Sequence, residues 1–148
     1  MRPFASLLCL VVASLVWAAD PSPEPDDDND AKKILGTWEL VKAEMDGNSP
    51  PGDEAKGMKI EITKDQFIIT RRGRDRKEAT GYKLDTKSKP HGIDISPPAG
   101  VDKMLEGIYK FDKGELTICW DDAGGERPTK FDGKAKVLMV LRKAKAKK

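Results

Sequence analysis

The sequence predicts a small all-β protein, an antiparallel barrel of eight to nine strands, on three observations. Apolar side chains recur at every second residue in a series of short runs. Clusters of Gly, Pro, Asp and Asn separate those runs at a spacing that suits a barrel or sandwich, and no stretch carries the 3.6-residue period of a convincing amphipathic helix.

The first segment is not part of that pattern. Arg2 gives a positive start, and Phe4 to Val16 form an apolar run broken only by Ser6 and Ser14. Val16-Trp17-Ala18 then places a small residue at the end and an apolar one two positions before it, as a signal peptidase pocket requires. Residues 1–18 therefore read as a secretory signal peptide, too short for a membrane span of roughly 20 apolar residues. Residues 19–32 alternate proline and acid with almost nothing apolar, so we expect a disordered acidic linker there. The barrel domain is expected over 33–143, with a solvated basic tail over 144–148.

Within the domain, Trp38 and Leu40 open the first strand. Val41, Ala43 and Met45 move the apolar set to the other parity, which predicts a bulge or a two-sided strand. A turn-rich loop from Asp46 to Gly52 follows, with one helical turn expected over Asp53–Lys56. Met58, Ile60 and Ile62 alternate with polar residues, and Phe67 and Ile69 share the face of the next strand. Thr80, Tyr82 and Leu84 make another, and Ile93 and Ile95 one more. Leu105, Tyr109 and Phe111 share a strand that Asp112-Lys113-Gly114 turns into Leu116, Ile118 and Trp120. A loop over 121–125 leads to Glu126–Phe131, the candidate for a ninth strand, and Val137, Met139 and Leu141 close the series. Closing the sheet on itself removes the unpaired edges that invite aggregation.

Composition narrows the function. The 148 residues suit one domain, and about 130 remain after the signal. The signal removes only Arg2 of the 27 basic residues, leaving 26 against 25 acidic ones. A near-neutral protein is not steered toward nucleic acid or a membrane surface. Cys9 leaves with the signal, so Cys119 stays unpaired within the chain and is expected to be buried.

Catalytic and metal chemistry find little material. His91 is the only histidine; between Pro90 and Gly92 it reads as an exposed turn residue without a partner. No Gly-x-Ser-x-Gly elbow exists, and one cysteine with one histidine does not make a structural zinc site. The acidic run fails the calcium-loop pattern, since Ala31 and Thr37 stand where glycine and a bidentate glutamate are needed. Arg71, Arg72, Arg74, Arg76 and Lys77 lack aromatic stacking partners and read as a solvated turn.

Three residues stand out as candidate ligand contacts. Tyr109 and Trp120 join a large apolar body to a polar tip, which suits a lined cavity. Arg127, before Pro128, is placed as a fixed charge at the barrel mouth. Trp38, after Gly36, is expected to plug the other end, with the guanidinium of Arg142 over its ring.

An ordered set of short motifs then runs through the domain from Ile34 to Ala144. It comprises Leu35-Gly36-Thr37-Trp38, Asp46-Gly47 before prolines, Lys89-Pro90 leading to Ile93-Asp94, and Gly107-Ile108-Tyr109. It continues with Leu116-x-x-Cys119, Arg127-Pro128-x-x-Phe131 and the closing run from Val137 to Arg142. In these the chain resembles a lipocalin-like family expanded in planctomycete bacteria, a domain family of unknown function. The resemblance implies export and a small β-barrel, and carries no catalytic or binding residues with it. The chain lacks the disulfides of many true lipocalins and a clear Thr-Asp-Tyr signature.

The combined expectation is a lipocalin-like, extracytoplasmic barrel, secreted or periplasmic. It is expected to be non-enzymatic, to bind an unidentified small molecule, and to use neither cofactor nor metal. No nucleic-acid partner and no membrane insertion after signal cleavage are expected, and no protein partner is indicated. The alternative is a protein-interaction or envelope-structural module acting through its surface and charged ends.

Overall fold

In a computed structural model, the described residues are 27–49, 57–71, 73, 77–97, 102–134 and 136–145. The expected signal peptide, the start of the linker, the helical turn over 53–56, most of the basic loop and the last three residues of the tail lie outside them.

Eight strands close into a barrel in which each pairs antiparallel with its neighbour in sequence. They are β1 (Gly36–Met45), β2 (Lys59–Ile62), β3 (Gln66–Thr70), β4 (Lys77–Asp85), β5 (His91–Ile95), β6 (Leu105–Asp112), β7 (Glu115–Trp120) and β8 (Val137–Lys143). The all-β class and the closed antiparallel barrel therefore stand as the alternation predicts. β1 pairs with both β2 and β8 and so seals the ring.

The shift of parity in β1 has the expected cause. The β1–β8 register slips between Leu40 and Lys42, so Val41 is the extra residue of a bulge and is 48% exposed. Before the bulge Trp38 and Leu40 face inward; after it Ala43 does. The β6–β7 hairpin closes through Lys113 and Gly114, with φ of 50° and 79°. Two successive positive φ angles match the right-handed twist of the strands, and glycine takes the second without steric penalty.

Inward-facing residues form one continuous core. Trp38, Ile60, Ile62, Ile93, Tyr109, Leu116, Ile118, Met139 and Leu141 pack together with Ile34 in one buried cluster that also takes in Phe67, Ile95 and Val137. Each isoleucine or leucine removed from water contributes about 1.5–3 kcal/mol, so this cluster is the main drive for closure.

Four expectations are corrected. The linker was expected to extend to residue 32, but Asp27–Lys33 form a short helix, α1, with Asp30 buried. The contacts of Asp30 with His91 and Tyr109, and the packing of the adjoining Ile34, hold it to the barrel end, and a composition rule blind to tertiary contacts misses that. Glu126–Phe131 makes no strand; it runs along the outer wall, where Phe131 covers Ile108, Cys119 and Leu138. Lys143, not Arg142, lies over the Trp38 ring, its Nζ 5.0 Å from the centroid. Trp38 pairs across the sheet with Lys143, so these two share a face, while Arg142 points outward to Glu115 at 2.7 Å. His91, expected in a turn, begins β5 and is largely buried.

Candidate functional site

The strand order assigns every loop to one of two ends. β1 begins at the end closed by α1, together with the β2–β3, β4–β5 and β6–β7 turns. The β1–β2, β3–β4, β5–β6 and β7–β8 connections belong to the opposite end.

The α1 end is sealed by packing and by polar contacts. The Trp38 indole donates to the Ile34 carbonyl at 2.8 Å. Lys143 Nζ donates to the carbonyls of Lys33 at 3.2 Å and Leu35 at 2.8 Å, satisfying groups that the end of α1 leaves unpaired. Gly36, at φ 123°, lies against the stem of that lysine, so a side chain there would meet it. Asp30 Oδ2 receives the Tyr109 hydroxyl at 3.2 Å and lies 3.0 Å from His91 Nδ1. The rings of His91, Tyr109 and Phe111 meet edge to face.

The opposite end holds a cavity of about 670 Å³. Phe67, Ile69, Ile95, Leu105 and Trp120 supply its apolar wall, and Thr80 and Ser96 add hydroxyls. Arg71, Lys77, Glu78 and Asp122 complete the lining with charges of both signs, Arg71 lying 4.0 Å from Glu78. Trp120 pairs with Gly107 across β6–β7, where a Cβ would press on the Cys119 carbonyl and on Ile93. The indole nitrogen of Trp120 is shielded from solvent and has no acceptor among the described residues. Such a donor costs about 1–3 kcal/mol.

The three candidate residues thus part company. Trp120 lines the cavity. Tyr109 is 1% exposed and belongs to the sealed end. Arg127 is not at the mouth: it donates 2.7 Å bonds to Asp94 and to the Gly107 carbonyl on the outer wall. A Cβ at Gly92 would collide with its guanidinium. The arginine pins the β7–β8 connection against β5 and β6, a structural task.

Sequence reading missed Asp30 as a partner for His91, and missed His91 itself. Carrying the alternation of Ile95 and Ile93 back two residues puts His91 on the inward face, a signal that the flanking Pro90 and Gly92 masked. Cys119 is buried as expected, and burial pushes its thiol up from the ordinary value. Among the described residues no three metal-ligating side chains come together. Comparison with protein-family models, curated proteins and solved structures finds no match to this chain.

Proposed function

We propose that the protein is an exported, lipocalin-like, non-catalytic module that binds a small, largely apolar molecule in the open half of its barrel. The observation that carries this reading is the 670 Å³ cavity with its wall of Phe67, Ile69, Ile95, Leu105 and Trp120, in a barrel filled at the other end. Ligand sites are concave, mostly apolar and furnished with few polar groups, and small barrels hold ligands inside. Export rests on the signal-like residues 1–18, and the lipocalin likeness on the motifs from Leu35 to Arg142.

A thermal-shift screen of the mature chain with lipids, sterols and small aromatic metabolites tests it. A ligand that binds the native state raises Tm with concentration. Leu105→Trp, which fills the cavity, should abolish the rise and leave the fold intact. A rise that survives in the filled variant, or none with any compound, overturns the reading.

A further inference from the structure

We propose a second, separate site on the sealed end: a recess that takes a compact polyvalent anion, phosphoryl or carboxylate in chemistry, held by Lys33, Lys89 and Lys110. The recess measures about 400 Å³ and shares no lining residue with the open-end cavity. Its three lysines come from different places in the chain: the last residue of α1, the turn before β5, and β6. The fold brings these three residues, each solvent-exposed, to the lining of one depression.

None of the three has a carboxylate partner among the described residues. The ion pairs found there use Lys42, Arg71, His91, Arg127, Lys136 and Arg142 instead. Lys110 Nζ stands 4.8 Å from the centre of the Phe131 ring. The one acid in the lining is Asp30, and the oxygen it turns inward is already engaged by His91 and Tyr109. Three cations therefore outnumber one carboxylate whichever charge His91 carries. The end of α1 does not offset them either, because Lys143 caps its last carbonyls. Phe111 and Phe131 border the recess with apolar surface, which strengthens a nearby charge interaction relative to open water. An anion seated in the recess meets three positively charged residues and has no carboxylate partner of theirs among the described residues to displace.

His91, the only histidine of the chain, lines the recess and supplies a single ring resonance as reporter. The experiment titrates the mature protein with inorganic phosphate and, separately, citrate, at fixed pH and constant ionic strength. Expected is a saturable displacement of the His91 ring resonance with a parallel rise in Tm. Lys89→Ala and Lys110→Ala should each weaken binding by roughly two- to fivefold, and the double variant more. Lys59→Ala, on β2, should change nothing. The stronger of the two probes assigns the site to phosphoryl or to carboxylate ligands. An equal displacement by chloride, a linear one, or one indifferent to the lysine variants overturns the proposal.

Discussion

At the α1 end of the barrel, Trp38, Tyr109, Asp30 and Lys143 each fill space and satisfy a polar partner at the same time. At the other end Trp120 lines a cavity, and its donor is left without an acceptor among the described residues. The two tryptophans make the contrast plain. They share chemistry and an inward face, yet one is bonded within a filled half and the other borders free volume. A barrel of eight strands has an interior just large enough for side chains to fill, so leaving a cavity at one end forgoes stability. That difference sets a cavity at one end against a closely packed, hydrogen-bonded seal at the other.

The largest effect should separate the two halves directly. Trp38→Ala removes a buried ring, its bond to Ile34 and the seat of Lys143, and should cost about 3–5 kcal/mol in urea unfolding. Leu105→Ala, at the half-buried wall of the cavity, should cost no more than about 2 kcal/mol. Equal losses would mean that the two halves are packed alike and would break the contrast.

The next effect concerns the polar seal. Asp30→Ala leaves the Tyr109 hydroxyl and His91 without their shared acceptor and should cost about 1–3 kcal/mol. Amide exchange at Ile34, whose N–H donates to the Asp30 carbonyl at 3.0 Å, should quicken as α1 loosens. Asp30→Asn keeps an acceptor oxygen and should lose less. An unchanged exchange rate in the alanine variant would show that the helix does not depend on this contact.

How much of this was legible beforehand follows from which forces are local. Alternation at Ile60/Ile62, Ile93/Ile95 and Leu116/Ile118 gave the strands, because inward burial acts residue by residue. Even the bulge at Val41 was visible as a change of parity. The α1 cap was not, because a seven-residue helix is too short to show a period and the side-chain partners that Asp30 has among the described residues lie 61 and 79 positions away. The same limit applies to Arg127. Its proline neighbour suggested a rim, but its position is set by Asp94 and the Gly107 carbonyl across the wall. Trp120, singled out for its apolar body and polar tip, lines the cavity; the companions Phe67, Ile69, Ile95 and Leu105 were recognisable as inward-facing but not as the cavity wall.

A smaller effect sharpens the tryptophan–tyrosine contrast. Tyr109→Phe removes a satisfied hydroxyl and should cost about 0.5–1.5 kcal/mol. Trp120→Phe deletes an unsatisfied donor along with some ring area, so the two changes oppose each other. Its net effect should lie within about 1 kcal/mol of zero. A clear loss on Trp120→Phe would show that the indole N–H does find a partner in solution.

The smallest expected effect sets one aspartate at each end against the other. Asp85, in the turn at the sealed end, has its carboxyl held below the ordinary value first by the Lys87 amide, which donates at 3.0 Å. Asp121, where the outer connection leaves β7, is held low first by the Lys136 ammonium at 3.1 Å. A carboxyl depressed by folding contributes stability above its unfolded value, about 3.9, and loses it as pH falls through the folded value. Both groups therefore weaken the fold on acidification, but by different physics. Salt screens a charge pair between exposed groups far more than a backbone hydrogen bond. Tm measured from neutral pH down to about pH 2, at low and high salt, should show a salt-sensitive part of the acid loss that Asp121→Ala removes. Asp85→Ala should remove a part that salt leaves alone. If both variants lost the same salt-sensitive part, the sealed-end turn would be held by charge, and its likeness to the open end would be greater than the geometry allows.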